Sequence, residues 1–441
     1  MLIAELLSAP KTRNLTNAGM LTAVVMLSAI LFFYSVLDPL KSNDFLYYND
    51  QSGLHMSDFV LFFVSGQMVL QGDGAHAYSP EVQMRYMDAL IYPNKLEKDF
   101  FLQYPPVTFA VMTPFALLPI KFAYVIWVFL LTLCAGAALI IYLTRCKGWG
   151  AITATSCTAY LFCSYPAISA WKHGQPVWLV LAFYLLYLLA AHRRQPLWQG
   201  MAIAACTFKP QYGILLGLYA LCTKQWRAVG WAAIGVVGML LVSIAAVGWD
   251  NVIHYPRILH EAETTGAFYG VWPEYMICVR ALLVRYLTPV QALDVSSGLW
   301  MVTAFIDCVL FVFAGRRSVS CLQWAFAVAI CASLIFSPHT HIHDTLLLAA
   351  AFAVTRPSAG CDALSKTAAI VNRLWVGFLF LYVPLSWPLS SAQAIAAFQK
   401  IPFLIYDCLL LALAIAVLVL QWRQRDTKYD AEAGGGPIVR A

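Results

Sequence analysis

The chain has 441 residues, of which 61% are hydrophobic and only 11% are charged, and its net charge is +6. Soluble domains carry about a quarter charged residues, so this composition excludes a soluble globular protein and indicates a helical protein with many membrane spans. The positive residues lie in short loops between apolar runs and form no continuous patch, so they do not indicate nucleic-acid binding.

The first apolar run, residues 17–38, is too long and too plainly followed by further runs to be a cleaved signal peptide, so it is predicted as the first span. Pairs of Lys and Arg separate the later runs, and placing these pairs in the cytoplasm predicts a multi-pass protein of the bacterial inner membrane with both termini inside. The further predicted spans are 120–144, 150–168, 176–191, 228–248, 296–314, 321–337, 344–355, 374–391 and 403–421. Together with a broken helix pair described below, these predict an all-α polytopic bundle of about 10–12 transmembrane helices. One transmembrane domain is expected over residues 1–425, followed by a flexible cytoplasmic tail over 426–441.

Two long segments, residues 39–119 and 249–295, fall on the periplasmic side of this topology. In the first, short helices are predicted at 57–71 and 80–91. The apolar stretch 105–117 is too short to cross, so it is predicted to lie in the membrane or dip into it. The second segment is predicted to form interfacial helices, because its Trp and Tyr rings favour the headgroup level.

Ser57-Asp58 opens the first of these short helices, in front of a run of apolar residues. An acid at a helix start is often only structural, with Ser57 as the N-cap and the carboxylate favoured by the helix dipole. The same geometry keeps Asp58 ionised at the membrane surface, where it could take the proton from a hydroxyl that attacks a sugar. The two interpretations are compatible, and Asp58 is the predicted catalytic residue.

Two further turns that are predicted to lie on the periplasmic side carry polar side chains. Tyr104 precedes two prolines, and the turn that follows Trp171 contains Lys172 and Gln175. Each of these residues alone is more often an interface anchor than a ligand. Their predicted placement on the same face as Asp58 makes Tyr104, Lys172 and Gln175 candidate substrate-binding residues.

Residues 197–222 are apolar but have basic residues at both ends, and Lys209-Pro210 interrupts the middle. A single span would place Lys224 and Arg227 outside, so two half-helices that meet at Lys209-Pro210 are predicted instead. Lys209 either extends to an interface or lies in a polar cavity, where its ammonium could bind a phosphate oxygen. The sequence leaves both possibilities open.

Three histidines alternate between Ser337 and Asp344, at the outer junction of two predicted spans. This spacing suits a metal site, but no second acidic cluster nearby completes a ligand set, so neither a metal nor another cofactor is expected. His339 and His341 are instead predicted to bind or neutralise a phosphate leaving group, with Asp344 orienting a histidine. The alternative is a polar loop exposed to the periplasm.

Taken in order, these residues resemble a known family, the polyprenol-phosphate-mannose-dependent mannosyltransferases of glycosyltransferase family 87, within the GT-C superfamily. The resemblance covers roughly residues 15–420. It is carried by Asp58-Phe59, Gly72, Tyr78, Tyr104-Pro105-Pro106, Pro114, Pro119, Gly174-Gln175, Lys209-Pro210, Ser337-Pro338-His339 and Asp344.

The resemblance implies a GT-C fold, a polyprenyl-phosphate sugar as donor, and Asp58, in the first outside loop, as general base. It also implies that basic residues near the outer face, here Lys209, His339 or His341, bind the donor phosphate. Such enzymes require no nucleotide sugar, and many in this branch use no metal. The extra histidines of residues 339–343 depart from the family pattern and leave the metal question open.

The predicted function is inverting transfer of a hexose, with mannose as first candidate, to a glycolipid or glycan acceptor on the periplasmic side. Membrane lipids are expected partners and nucleic acid is not. The main alternative is a flippase or other transporter of lipid-linked sugars, which is disfavoured because no internal repeat is evident and the acids gather in outside loops. A non-catalytic subunit of an envelope assembly complex is the second alternative. The sequence does not determine which sugar and acceptor are used.

Overall fold

The computed structural model describes residues 13–42, 46–50, 53–93, 101–265, 271–355, 366–391 and 401–432. Within them a short antiparallel ladder pairs β1 (Tyr47–Asp50) with β2 (Gly53–Met56), and helices make up most of the remainder. The α-helices are α1 (Arg13–Phe32), α2 (Pro39–Ser42), α3 (Asp58–Leu70), α4 (Pro80–Ile91), α5 (Val107–Ala116), α6 (Ile120–Lys147), α7 (Ala151–Phe162), α8 (Tyr165–Lys172), α9 (Val177–His192), α10 (Pro196–Cys206), α11 (Pro210–Cys222), α12 (Trp226–Val247), α13 (Trp249–Thr265), α14 (Val279–Leu283), α15 (Pro289–Arg317), α16 (Val319–Phe336), α17 (Leu348–Thr355), α18 (Lys366–Ser391) and α19 (Ile401–Glu432).

Seven helical segments among the described residues are long and apolar enough to cross a membrane, or eight if the bent pair α8–α9 counts as one span. The seven are Leu21–Lys41, α6, α12, α15, α16, Ala369–Trp387 and Pro402–Arg423. Most present large apolar side chains outward, such as Phe305, Met301 and Leu241. A helix with an exposed apolar face requires lipid around it, so the chain is an all-α polytopic membrane protein, as predicted.

Some predicted boundaries differ from the structure. The span predicted at 150–168 is divided, because Ser164 accepts a hydrogen bond from the Ala167 N–H at 3.3 Å and caps a new helix. The span predicted at 344–355 is a 3-10 turn (Ile342–Leu347) followed by the short α17. Fewer full-length spans than predicted therefore occur in the described part of the chain. Helix α19 ends at Glu432, inside the predicted tail, and residues 433–441 lie outside the described residues.

The broken pair predicted at 197–222 is present as α10 and α11, which meet at a turn ending in Lys209. The two helix ends farthest from this turn lie together, because Gln199 near the start of α10 donates to the side chain of Gln225, which follows α11. A helix of 11 residues is about 17 Å long, too short to cross a bilayer of about 30 Å. The pair is therefore a hairpin whose turn reaches into the bundle.

The short helices predicted in the first outside segment are also present. Ser79 caps α4, with Oγ accepting from the Val82 N–H at 3.4 Å. Helix α3 packs along α5 and is buried over most of its length. The two backbones approach closely at Gly66, where an added Cβ would collide with the Met112 carbonyl. This packing fixes α3, and with it the position of Asp58 at the head of the helix.

Candidate active site

Asp58 is the first residue of α3 and joins a hydrogen-bonded chain of three side chains. Its Oδ2 accepts from the Gln175 Nε2 amide, and the Gln175 Oε1 accepts from the Tyr104 hydroxyl at 2.9 Å. Ser57 occupies the N-cap position but makes no side-chain cap; its Oγ donates to the Lys172 carbonyl at 3.5 Å instead. Ser57 is thus the N-cap residue, as predicted, although its hydroxyl does not bond an N–H of α3. Asp58, Gln175 and Tyr104 form a group that we call the acid cluster.

Gln175 reaches Asp58 because the chain bends by 119° between α8 and α9. Gly174 lies in this turn with φ +59°, a left-handed conformation that favours glycine. The Gly174 carbonyl accepts from Trp127 Nε1 at 2.7 Å, and the Trp171 carbonyl accepts from the Tyr124 hydroxyl at 2.8 Å. Two side chains of α6 thus fix the turn against the head of α3.

Gly174→Ala is expected to destabilise the protein by about 1–2 kcal/mol, because a residue with a Cβ disfavours the left-handed conformation that Gly174 adopts. The added Cβ would also lie 2.8 Å from the Phe59 Cβ, which is buried and cannot move freely. Thermal unfolding in detergent measures the effect. Gly230→Ala is the matched control, because Gly230 lies in α12 with no atom within 4 Å of an added Cβ. Equal unfolding temperatures for the two variants would contradict this account.

Tyr104 is held by its backbone and by its ring. The Tyr104 carbonyl accepts from the Tyr78 hydroxyl at 2.7 Å, and the preceding carbonyl, of Gln103, accepts from the Tyr255 hydroxyl at 3.0 Å. The ring packs edge-on against Phe62 at 4.8 Å between centroids. Burial, and then the carboxylates of Asp344 and Asp58, raise the pKa of Tyr104 well above its ordinary value. The phenol is therefore a neutral donor that orients Gln175.

Lys209 and Asp344 form a buried ion pair at the turn of the α10–α11 hairpin. The Lys209 Nζ lies 2.6 Å from Asp344 Oδ1, and the two side chains are 7% and 0% exposed. The Lys209 Nζ is also 6.0 Å from the centroid of the Tyr104 ring, so the pair lies beside the acid cluster. The sequence left open whether Lys209 extends to the membrane interface or lies in the interior, and the structure places it in the interior.

Asp344 and His341 form a capping box at the start of the 3-10 turn, in which the His341 side chain faces the Asp344 backbone N–H. The Asp344 Oδ2 accepts from the His341 backbone N–H at 2.9 Å, and its Oδ1 accepts from Lys209. His343 Nε2 lies 3.9 Å from Oδ1. The carboxylate stabilises the start of the 3-10 turn, because that turn presents its free N–H groups to Asp344.

The three histidines lie beside one another in the order of the chain. The His339 and His341 rings are 4.9 Å apart, and the His341 and His343 rings are 5.6 Å apart. Across the described residues, no three His, Cys, Asp or Glu side chains are arranged to hold a metal ion. Whether the protein needs a metal stays a prediction.

Glu263, which the sequence analysis missed, binds His339. Its Oε1 lies 2.7 Å from His339 Nδ1, and its Oε2 accepts from the buried guanidinium of Arg280. Burial by itself would raise the pKa of Glu263, but the His339 ring and Arg280 lower it to about 2. The carboxylate is therefore ionised at any pH near neutrality. No local signal marks Glu263, because it is one of several polar residues in a polar helix.

Lys172 lies at the end of α8 with its side chain exposed, and its carbonyl accepts the bond from Ser57. The structure thus joins Asp58, Gln175 and Tyr104 by hydrogen bonds, pairs Lys209 with Asp344, and places His339 and His341 in ring contact. Lys172 neighbours the acid cluster only through its backbone. A partly exposed carboxylate such as Asp58 can accept a proton, and the neighbouring basic side chains are the groups available to an anionic ligand.

Comparison with protein families finds one match, to the model described as glycosyltransferase family 87, over residues 101–338. The matched range is more than half of the 441 residues and includes Tyr104, Gln175 and Lys209. Asp58 precedes it, and His339, His341 and Asp344 follow it directly. No curated protein and no solved structure matches the chain.

Proposed function

Because this chain belongs to glycosyltransferase family 87, whose model covers more than half of it, we propose that it transfers a hexose from a polyprenyl-phosphate sugar to a glycolipid or glycan acceptor. The chain is a multi-pass membrane glycosyltransferase, and its helical bundle is consistent with the GT-C superfamily. Mannose is our first candidate for the sugar. The single observation that carries the proposal is a partly exposed carboxylate, Asp58, joined through Gln175 to Tyr104, whose ring lies beside the Lys209–Asp344 pair.

In the proposed reaction Asp58 is the general base. The Gln175 amide holds its Oδ2, while its Oδ1 makes no hydrogen bond to the described residues. Asp58 is also partly exposed, so an acceptor hydroxyl can reach it. The acceptor oxygen attacks the anomeric carbon, its proton passes to Asp58, and the bond from that carbon to the phosphate oxygen breaks. Direct displacement of this kind inverts the anomeric configuration.

The leaving group is a polyprenyl phosphate, whose growing negative charge requires cations or hydrogen-bond donors. His339, His341 and Lys172 are our candidates for direct contact with that phosphate. The charge of Lys209 is already offset by Asp344, so we assign Lys209 a second role, fixing the hairpin turn beside Tyr104. The phosphate needs no strong general acid, because it leaves as a weak base.

An apolar cavity supports a donor with a lipid tail. It lies between α6, α7, α17 and α18 and is lined by side chains that include Leu139, Tyr160, Phe352 and Phe380. Leu348 and Tyr382 also line it, and the Tyr382 hydroxyl contacts the Thr345 hydroxyl, next to Asp344. A prenyl chain in this cavity would have its phosphate end near the histidines.

The proposed orientation places the acid cluster on the periplasmic side. The opposite end of the bundle, where Gln199 meets Gln225, carries exposed Arg193, Arg194 and Arg227. Excess Lys and Arg mark the cytoplasmic ends of membrane helices. This charge distribution is the argument for a periplasmic active site in a bacterial inner membrane.

Purified protein in detergent is expected to form product from a synthetic short-chain polyprenyl-phosphate mannose and a glycolipid extract, with no nucleotide sugar added. Radiolabelled sugar and mass spectrometry of the lipid products measure the transfer. Polyprenyl-phosphate glucose in parallel tests the sugar. A flippase would bind the donor without making product, so donor binding with no transfer to any acceptor would contradict the proposal.

A further inference from the structure

His339 is held from two directions by residues of the second outside segment. The Glu263 Oε1 lies 2.7 Å from His339 Nδ1. The Arg280 Nη1 donates to the carbonyl of Pro338, the residue before His339, at 3.2 Å. The ring and the backbone of this histidine are therefore both fixed from outside its own segment.

Glu263 is in turn held by Arg280 in a buried pair. The guanidinium donates through Nη1 to Glu263 Oε2 and through Nη2 to the Glu263 carbonyl at 2.8 Å. The Arg280 and Glu263 side chains are 0% and 10% exposed. A buried ion pair contributes little net stability, because removing both charges from water offsets their attraction. The pair therefore acts mainly on geometry: it fixes the orientation of Glu263 Oε1, the carboxylate oxygen that binds His339.

This geometry decides which His339 nitrogen is available. An ionised carboxylate only accepts hydrogen bonds, so Nδ1 must carry the hydrogen that Glu263 accepts. The second ring nitrogen, Nε2, makes no hydrogen bond to any described residue, so it is available to a ligand. The His339 side chain is 35% exposed, so a ligand can reach it. A carboxylate at Nδ1 fixes the orientation of an imidazole ring, and in a protonated histidine both nitrogens donate, so a ring held at Nδ1 keeps Nε2–H for a ligand.

We propose that Glu263 and Arg280 are positioning residues that fix the His339 ring so that Nε2 is directed at the phosphate of a prenyl-phosphate ligand. The identity of this ligand rests on the proposed function. The charged and titratable groups around His339 are Glu263 on α13, Arg280 on α14, His341 and His343 on its own segment, and Lys209, which is paired with Asp344. Among these described groups Glu263 binds the ring through its carboxylate, whose charge is paired with that of Arg280.

The test compares farnesyl phosphate binding and sugar transfer in the wild type and in Glu263→Gln. Glutamine keeps the shape of the side chain, but its neutral amide bonds Arg280 and His339 more weakly than the carboxylate does, so the His339 ring is held less well. Farnesyl phosphate binding is therefore expected to weaken about tenfold. The KM for the donor should rise more than kcat falls.

Three further variants separate positioning from general damage. Glu263→Asp, which restores the charge, should return farnesyl phosphate binding towards that of the wild type. In a His339→Ala background, Glu263→Gln should have no further effect on binding. Asp73→Asn is the control for losing a carboxylate in an outside segment, since Asp73 bonds Arg85 and Tyr86 away from His339. If Glu263→Gln does not fold, His339→Gln leaves the buried pair intact and must itself weaken binding about tenfold.

The outcomes distinguish this inference from the proposed function. A wild-type protein that neither binds farnesyl phosphate nor transfers sugar would overturn both. A wild type that does both, beside a folded Glu263→Gln variant with unchanged farnesyl phosphate binding and unchanged donor KM, would overturn the positioning role alone. Additive effects of Glu263→Gln and His339→Ala would do the same.

Discussion

Asp58→Asn is expected to lower the rate of sugar transfer about 10²–10⁴-fold while the protein folds and binds donor normally, since a positioned general base contributes that much. Asparagine keeps the shape of the side chain and can still hydrogen-bond to Gln175, but it cannot take the proton of the acceptor hydroxyl. The effect should therefore fall on kcat, with little change in the KM for the donor. Single-turnover transfer with purified protein measures it.

Asp73→Asn is the matched control for this experiment. Asp73 is a second carboxylate of the same outside segment, and it bonds Arg85 and Tyr86 without touching the acid cluster. It should leave the transfer rate nearly unchanged. Asp58→Ala should abolish transfer as well, while expression and donor binding persist. Turnover of either Asp58 variant near that of the wild type would remove the assignment of Asp58 as the base.

The second large effect is expected from Lys209→Met, which should destabilise the protein by about 3–5 kcal/mol, because it leaves the Asp344 carboxylate buried without a counter-ion. Asp344 is 0% exposed, so water cannot replace the lost ammonium. Unfolding in detergent, followed by heat and by a chemical denaturant, measures the loss. The double variant Lys209→Met with Asp344→Asn should regain much of it, because no buried charge remains and the amide oxygen can still accept from the His341 N–H.

Kinetics of the same two variants test what the pair does for the reaction. If Lys209 fixes the hairpin turn beside Tyr104, the single variant should lose transfer activity together with stability. The double variant should then recover part of both. A double variant as unstable as the single one would contradict the ion-pair account. A Lys209→Met protein with unchanged stability and unchanged donor kinetics would reject both the pairing role and any role towards the phosphate.

The sequence by itself determined the class of protein and the type of most elements, because these depend on local patterns. Apolar runs long enough to cross a bilayer predict an all-α polytopic protein, and the Lys209-Pro210 break predicts the α10–α11 hairpin that the structure contains. Ser79-Pro80 likewise predicts the start of α4. Span boundaries were less predictable, since a short apolar helix buried in the bundle resembles a span in composition.

Only the tertiary structure decided how the candidate residues meet. Gln175 joins Asp58 across 117 positions, Asp344 joins Lys209 across 135, and Glu263 joins His339 across 76. No local periodicity encodes such contacts, because they depend on how the turn at Gly174 and the hairpin at Lys209 pack against α3 and the 337–344 segment. Ser57 shows both levels: the local pattern predicts it as the N-cap, but its hydroxyl bonds the Lys172 carbonyl, which only packing brings to it.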